Sequence, residues 1–369
     1  MAQQQQQQQQ QQRGAVYFCR QPARCVAAVP PNAAASPHRN SFMVGTCNLQ
    51  PRNEIHLVDF VEDTAELVCR QTLSHPDEVL LLNVNPTDGS QVLTFSGQNS
   101  SHSLRLWRVV GSPDDQEAQL EVLCHLTGSE TNPLGSVKSS AWDPHHEGKL
   151  LVTDSEALHT FDSTTGKEAT PLSTLQVGQR CAGACADPHH ANQVSTVDDC
   201  HLKTWDLRSS QLAYKRDAVH LFGARDVDYN PNVPYQVLTT GEDAALRFWD
   251  LRKLDKSLKM LSGGHHHWVV QAKYNSYHDQ LVLSCSTDSA VCLWRANSVA
   301  SAPLASDPSR VTAQDRQPDG LIRRYEEHED SCYSCCWSLG GAWLFASVAY
   351  DGRLLVNPVP GDEKYRILL

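Results

Sequence analysis

Polar and apolar positions alternate along residues 237–252, Val-Leu-Thr-Thr-Gly-Glu-Asp-Ala-Ala-Leu-Arg-Phe-Trp-Asp-Leu-Arg. Leu246 and Phe248 face one way, Arg247 and Trp249 the other, which is the period of a β-strand. Gly241, Glu242 and Asp243 supply the tight polar turn before it. The same strand–turn–strand pattern recurs before Trp205-Asp206 and before Trp294-Arg295.

Trp205, Trp249 and Trp294 stand 44 and 45 residues apart. That spacing falls in the range of about 40–45 residues for one blade of a WD-repeat propeller. Further offsets repeat with it. Asp199, Asp243 and Asp288 precede their Trp by six residues, and Ser195, Thr239 and Ser284 by ten. His220 and His265 precede Trp249 and Trp294 by 29. With Asn357 as a degenerate Trp position, the same offsets give His328, Ser347 and Asp351. A buried indole N–H needs an acceptor. A hydroxyl can accept it and donate to an imidazole, whose other nitrogen donates to the Asp. The spacing therefore predicts a His–Ser/Thr–Asp–Trp network tying each blade together. A Ser-His-Asp hydrolase triad is the functional alternative, but it needs one copy and the set appears three times.

Seven such units account for nearly the whole chain, and the predicted fold is an all-β, seven-bladed propeller with four antiparallel strands per blade. Residues 1–14, with the Gln3–Gln12 run, are expected to be a disordered tail. Residues 15–369 form the single propeller. Blade one takes Ala15–Arg20, Phe42–Cys47 and Glu54–Phe60 as strands, with Pro22–Pro37 as a loop and Leu67–Arg70 outermost. Blade two covers residues 75–126, with His75, Trp107 and an insertion at Gln98–Ser103. Blade three, residues 136–178, has Phe161-Asp162 for Trp-Asp and Leu151 where the hydroxyl belongs. Blade four, residues 181–214, has Gln176 in place of the His. Blades five and six start at His220 and His265, with residues 296–320 a flexible insertion in blade six. Blade seven covers 328–358, and Tyr365-Arg366-Ile367-Leu368 is expected to close it as its last strand.

Composition narrows the function. The net charge is −11, from 31 basic and 42 acidic residues, which argues against a phosphate-binding surface and hence against nucleic acid. The 13 cysteines include the group Cys332, Cys335, Cys336 and the pair Cys181, Cys185, but no paired Cys-x-x-Cys units at zinc-ribbon spacing. They read as small buried hydrophobes in a reducing, cytosolic compartment. No signal peptide precedes the first strand. No run approaches the ~18 apolar residues of a membrane span, so direct membrane insertion is not expected.

Asp143-Pro144-His145-His146 recurs as Asp187-Pro188-His189-His190, at the place taken by Asn230-Pro231-Asn232 and Asn275-Ser276-Tyr277-His278 in later blades. Paired His suggests metal, but Asx-Pro between a first and second strand makes a turn. His265-His266-His267 is spent in part on the network. No metal and no cofactor are expected. Walker-type loops and His-Glu-x-x-His are absent, so the chain is not read as an enzyme.

Trp205-Asp206-Leu207-Arg208 and Trp249-Asp250-Leu251-Arg252 carry a Trp-Asp-x-Arg ending in consecutive blades. This resembles the box of WD-repeat substrate receptors of cullin-4 ubiquitin ligases. The resemblance implies that Arg208 and Arg252 meet a cullin-4 adaptor; the alternative is that each caps a neighbouring turn.

A more specific likeness lies near the carboxyl end. It comprises Arg323-Arg324-Tyr325-Glu326-Glu327-His328-Glu329-Asp330-Ser331, then Trp337, Trp343-Leu344-Phe345-Ala346-Ser347, Tyr350-Asp351-Gly352-Arg353-Leu354 and Lys364-Tyr365 with Ile367-Leu368-Leu369. Asn53-Glu54-Ile55-His56, Glu121–Leu126, His267-Trp268-Val269 and His278-Asp279-Gln280-Leu281 extend it. The chain resembles the EARP- and GARP-interacting protein family over most of residues 42–369. That resemblance implies a non-enzymatic adaptor that associates with two multisubunit tethering complexes. It implies recruitment of the endosomal complex to membranes, and through it endosomal recycling and retrograde transport. The expected location is cytoplasmic and peripheral, at endosomes and the trans-Golgi network, and the propeller is expected to be monomeric.

No binding residues come with the resemblance. Loops joining successive blades should share a face with the tight turns before each third strand. Phe222, Arg225, Trp268, Glu329, Asp330 and Tyr350 fall there, and Trp268 and Tyr350 are aromatic anchors of the kind that dominate interfaces. The alternative for Trp268 is burial between blades.

Overall fold

The computed structural model describes residues 14–31, 39–49, 52–98, 101–111, 118–129, 133–163, 166–301 and 318–368. The predicted Gln-rich tail and most of the predicted 296–320 insertion lie outside the described residues. Within them the chain is a seven-bladed β-propeller, with four antiparallel strands to a blade.

The first strand, β1 (Ala15–Phe18), belongs to the last blade. Blade one is β2 (Ala23–Val29), β3 (Arg39–Thr46), β4 (Asn53–Val61) and β5 (Glu66–His75). Blade two is β6 (Glu78–Val84), β7 (Gln91–Gln98), β8 (Ser101–Val110) and β9 (Gln119–Leu126). Blade three opens with β10 (Ser139–Trp142), β11 (Lys149–Thr153) and β12 (Ala157–Asp162). The chain then detours through β13 (Glu168–Ala169), which runs parallel to β9 as a fifth strand of that sheet, before β14 (Ser173–Gln176) completes blade three. Blade four is β15 (Cys181–Ala186), β16 (Gln193–Asp198), β17 (His201–Asp206) and β18 (Gln211–Arg216). Blade five is β19 (Ala224–Tyr229), β20 (Gln236–Gly241), β21 (Leu246–Asp250) and β22 (Lys259–Leu261). Blade six is β23 (Val269–Tyr274), β24 (Leu281–Ser286), β25 (Val291–Arg295) and β26 (Gly320–Tyr325). The last blade has β27 (Cys332–Trp337), β28 (Leu344–Ala349) and β29 (Arg353–Pro358), followed by α1 (Gly361–Leu368).

By contacts the chain divides into two compact units. One holds Met1–Pro133, Asp162–Pro171 and Glu327–Leu369; the other holds Leu134–Phe161 and Leu172–Glu326. In the first, Phe42, Val44, Val58 and Phe60 pack with Leu344, Val348 and Val356. In the second, Phe248, Tyr274 and Trp294 share one apolar cluster, and Val197, Val227, Tyr229 and Trp249 another. Every residue of β24 and β25 is buried, so neither strand shows the apolar–polar alternation of a half-exposed one, and the buried Ser284 is satisfied by His265 and Trp294.

The structure corrects the expected closure. The amino-terminal strand completes the last blade: β1 pairs with β29, Ala15 opposite Val356 and Phe18 opposite Arg353. The carboxyl-terminal segment is a helix, not a strand. Pro358 and Pro360 cannot donate to a ladder, and the Pro360 carbonyl instead accepts the N–H groups of Glu363 and Lys364, both at 3.0 Å. Asp362 and Glu363 in the first turn and Arg366 in the last suit the helix dipole.

Blade one is corrected as well. Residues 23–29 are a strand rather than part of a loop, and Ala15–Phe18 is not that blade's first strand. The small side chains Ala23, Cys25, Ala27 and Ala28 concealed it, because β-propensity scales reward large branched residues. They suit a strand flanked by β6 and β27. Gly45 on β3 answers the same crowding, since a Cβ there would stand 2.6 Å from Val79 Cγ1 and 2.8 Å from Cys25 Sγ.

The Asp-Pro-His-His pieces are turns that also link blades. Asp143 Oδ1 accepts the N–H groups of His145 and His146 at 2.8 and 3.2 Å. His145 Nε2 lies 3.0 Å from the Asp187 carbonyl, and His189 Nε2 lies 2.9 Å from the Asn230 carbonyl. A carbonyl can only accept, so each Nε2 carries the proton. Asn230 Nδ2 in turn donates to Asp279 Oδ2 at 2.9 Å.

Candidate functional site

The repeated polar set is built on the strands of each blade. In blade five, Trp249 Nε1 donates to Thr239 Oγ1 at 2.9 Å, and Thr239 stands 2.9 Å from His220 Nε2. His220 Nδ1 lies 2.8 Å from Asp243 Oδ1. Arg247 Nη1 also stands 2.6 Å from Nδ1, so that nitrogen faces both an acceptor, Asp243, and a donor. Gly241 leaves room for this ring, because any side chain there would overlap His220. Blade six repeats the set. Trp294 Nε1 and His265 Nε2 both meet Ser284 Oγ at 2.7 Å, and His265 Nδ1 stands 3.4 Å from Asp288. In the last blade His328 Nε2 meets Ser347 Oγ at 3.0 Å and Nδ1 stands 3.5 Å from Asp351. Blade two holds a shorter version, His75–Thr94–Trp107, at 3.2 and 2.8 Å.

Each of these Asp side chains also holds a loop. Asp243, Asp288 and Asp351 accept the N–H groups of Leu221, His266 and Glu329 at 3.1, 2.8 and 2.8 Å. Burial pushes the Asp243 carboxyl up, but the His220 hydrogen bond and charge, the Leu221 N–H and Arg247 hold it well below the usual range. Asp288 behaves alike: burial raises it, and His265 and the backbone N–H groups more than reverse the effect. Burial pulls His220 below the usual imidazole value despite Asp243. In blades five and six the hydroxyl stands between an indole and an imidazole; in the last blade Ser347 meets His328 alone, because Asn357 brings no indole. Arg247 and Arg324 are partners that the spacing did not reveal; they reach Asp243 at 2.6 Å and Asp288 at 3.1 Å.

Blade four departs from the expected offsets. Trp205 Nε1 donates to Thr196 Oγ1 at 3.0 Å, not to Ser195. The turn between β16 and β17 holds two residues, Asp199 and Cys200, so the acceptor stands nine positions before the Trp. Ser195 instead meets Thr204 and the Tyr229 hydroxyl at 2.7 and 2.6 Å. Asp199 takes φ 50° in the turn, where Asp is tolerated.

The predicted surface residues fall into two groups, described separately. In the second unit, Phe222 is 61% and Trp268 39% exposed. The Arg225 guanidinium lies 4.5 Å from the Trp268 ring centroid and also pairs with Glu242. His267 stacks on the same indole, 5.1 Å between centroids and 28° between planes. Leu221, 78% exposed, belongs with this group. Its signal was legible as an apolar Leu-Phe pair in a loop, next to the network His. In the first unit, Tyr350 is 39% exposed at the β28–β29 turn, and its N–H donates to the Ser331 carbonyl at 3.1 Å. Glu329 pairs with Arg353, whose guanidinium faces the Phe18 ring at 5.5 Å. Asp330 Oδ1 accepts the Ser331 N–H.

The two Trp-Asp-x-Arg endings share a backbone turn and differ in their side-chain contacts. Asp206 and Asp250 accept the backbone N–H of Arg208 and Arg252, each at 2.9 Å. The Arg252 guanidinium grips Asp250 through Nε and Nη2 at 3.0 and 2.8 Å, and lies 5.0 Å from the Tyr235 ring centroid. Both arginines are exposed.

Among the described residues, no group of three His, Cys, Asp or Glu side chains is placed to hold a metal ion. No disulfide links the 13 cysteines, and burial pushes the Cys25 and Cys181 thiols up to about 12, unlike a thiolate ligand. Among the described residues no helix is long and apolar enough to cross a membrane.

Comparison with known proteins adds a family match. The EIPR1 beta-propeller model matches residues 11–294, and a WD domain, G-beta repeat model matches residues 320–356. EARP and GARP complex-interacting protein 1 of Rattus norvegicus is 34% identical over 362 residues, spanning 89% of this chain and 92% of that protein. The Homo sapiens protein of the same name is 33% identical over 363 residues, with the same coverage. WD repeat-containing protein DWA2 of Arabidopsis thaliana is 30% identical over 350 residues, spanning 94% of this chain and 96% of that protein.

Proposed function

The chain belongs to the EIPR1 beta-propeller family, and from that premise we propose that it is a non-enzymatic WD-repeat scaffold. It binds tethering complexes of the EARP and GARP type and promotes their recruitment to membranes in endosomal recycling and endosome-to-Golgi transport. The observation that carries this reading is the likeness to EARP and GARP complex-interacting protein 1 along nine-tenths of both chains. The match runs over 89% of this chain and 92% of that protein, so it takes in the whole scaffold on which interaction loops are carried. The working location is cytoplasmic and peripheral, at endosomes and the trans-Golgi network.

The binding surface we favour includes Phe222, Arg225 and Trp268, with Glu329, Asp330 and Tyr350 as the second set. An exposed indole held in place by a guanidinium has already lost much of its freedom, which lowers the entropic cost of docking. The rival reading is a substrate receptor of a cullin-4 ligase through Arg208 and Arg252. The bidentate grip of Asp250 on Arg252 favours a turn-capping role for that side chain.

Affinity capture of the tagged protein from cytosol, read by mass spectrometry, tests both. The parent is run beside a form carrying Arg208→Ala and Arg252→Ala. Recovery of tethering-complex subunits by both forms supports the scaffold. Recovery of a cullin-4 adaptor by the parent alone makes the ligase receptor the better account, and recovery of neither rejects the scaffold reading.

A further inference from the structure

The strand that completes the last blade is joined to blade one by a hinge, Cys19–Pro22, between β1 and β2. Three observations mark this hinge as strained. Arg20 takes φ 59°, the left-handed region that L side chains disfavour. It is exposed, so burial of its side chain does not compensate for the backbone. Gln21 presses on the β28–β29 turn so closely that any side chain at Gly352, itself at φ 75°, would overlap the Gln21 carbonyl. Gln21 Oε1 is buried and has no hydrogen-bond partner among the described residues, while Nε2 donates to the Arg52 carbonyl at 3.2 Å.

Against that strain stands a short strand. β1 pairs with β29 from Ala15 opposite Val356 to Phe18 opposite Arg353. The Cys19 N–H donates to the Gly352 carbonyl at 2.9 Å. The Tyr17 hydroxyl stands 3.0 Å from His56 Nδ1, and the Arg353 guanidinium faces the Phe18 ring. Val16 and Phe18 are 45% and 59% exposed, so one face of β1 is open to solvent. Every partner in this set lies beyond the hinge, in residues that a second copy of the chain carries unchanged. A β1 that leaves its own blade and enters that of a second copy therefore regains each contact, and its hinge straightens. Extended, the hinge reaches about 14 Å, enough to join two copies that meet at this blade.

We propose that the protein forms a reciprocal dimer with a second copy of itself by exchange of β1, driven by release of the Cys19–Pro22 hinge. Exchange of an identical element is a low-cost route to a dimer, and a short strained hinge favours it. The native contacts of β1 are the same in both forms, so the hinge and the concentration of chain set the balance. Only β1 changes place, so each copy keeps its Phe222, Arg225 and Trp268. On the scaffold reading the exchanged dimer offers that surface twice, and a multisubunit partner is then held by avidity rather than by a new contact. The exchange itself does not depend on that reading.

Two differently tagged full chains, one carrying Phe18→Cys and the other Arg353→Cys, are co-expressed and purified through both tags. Positions 18 and 353 are opposite each other in the ladder, where Cα atoms stand about 4.5–5.5 Å apart and a disulfide fits. After mild oxidation, peptide mass spectrometry is expected to find position 18 of one chain joined to position 353 of the other. Sedimentation velocity over a range of concentrations then measures the dimer constant of the parent, Arg20→Asn and Arg20→Val. Asn tolerates the left-handed region and a β-branched residue does not. Each dimer holds two hinges, so Arg20→Asn should lower the constant by about fivefold or more, and Arg20→Val raise it by about as much. Position 20 is exposed and outside the ladder, and circular dichroism checks that both variants fold. A monomer at every concentration overturns the inference. So does a dimer without the 18–353 cross-link, or a dimer constant that both position-20 variants leave unchanged. Failure to capture tethering subunits would leave the exchange standing, and absence of exchange would leave the scaffold reading standing.

Discussion

The Arg225 guanidinium lies over the Trp268 indole, 4.5 Å from the ring centroid. The cation comes from the start of β19 and the ring from the loop before β23, so the contact joins blades five and six within one unit. It holds the indole partly exposed instead of folding it into the core.

On the scaffold reading, Trp268→Ala weakens tethering-complex binding by about 2 kcal/mol, roughly thirtyfold. Arg225→Ala has a smaller effect of the same sign, because it frees the ring without removing it. Titration of purified complex against each variant measures this, and circular dichroism checks the fold. Unchanged affinity with an intact fold removes the Trp268 surface from consideration.

The His–hydroxyl–Asp–Trp sets predict losses of stability instead. Asp243→Ala strands a buried imidazole, the Leu221 N–H and Arg247, so a loss of about 2–4 kcal/mol is expected. His265→Ala should behave alike. The readout is the midpoint of urea unfolding. A variant that keeps its midpoint and loses a single partner would show that the set is part of a binding site.

Acid should destabilise the fold in two stages. The folded His220 is held below its usual value by burial, as are His56 and His75. Between that lowered value and the unfolded value near 6.5, the unfolded chain binds more protons, so stability falls as pH drops below about 6.5. The lowered Asp243 and Asp288 carboxyls act likewise. Their contribution is complete above the unfolded value of about 4 and is lost as pH falls through the lower folded value. Urea midpoints measured from pH 8 to pH 3 test this; a midpoint that rises on going from pH 7 to pH 5.5 contradicts it.

Removal of residues 1–18 takes away β1 and bares the edge of β29. Bare edges recruit other chains, so aggregation and a lower melting temperature are expected. Removal of residues 1–13 leaves every β1 pair in place and should leave melting unchanged. Light scattering during a thermal ramp separates the two truncations.

The repeat was legible because the Trp positions and the Asp–hydroxyl–His offsets are fixed by one turn geometry, and blades five and six share it. Blade four keeps the Trp, but its hairpin register is one residue shorter, and the offset of ten then points to Ser195 rather than Thr196. Strand β2 has little local signature because close packing against β6 and β27 selects Ala and Cys, which carry little strand signal. The closing segment is ambiguous in sequence, because Lys364–Leu368 alternates weakly enough to suit either form, whereas Pro358, Pro360 and the acidic first turn favour helix. Among surface residues, single aromatics in loops were visible in the sequence, but the stacking of Arg225 on Trp268 joins residues 43 positions apart and has no local signature.

On the ribosome, Ala15 emerges long before Val356, the residue it must pair with. At ordinary synthesis rates of about 5–20 residues per second, the ~340 residues between them impose a wait of roughly 17–70 s. During that interval the first strand has no partner in its own nascent chain, while earlier copies on the same message can present a finished β29. The last hydrogen-bonded ladder of the fold is thus the one between its first and last strands, and a slow intramolecular pairing of that kind is the step at which strand exchange between copies would compete.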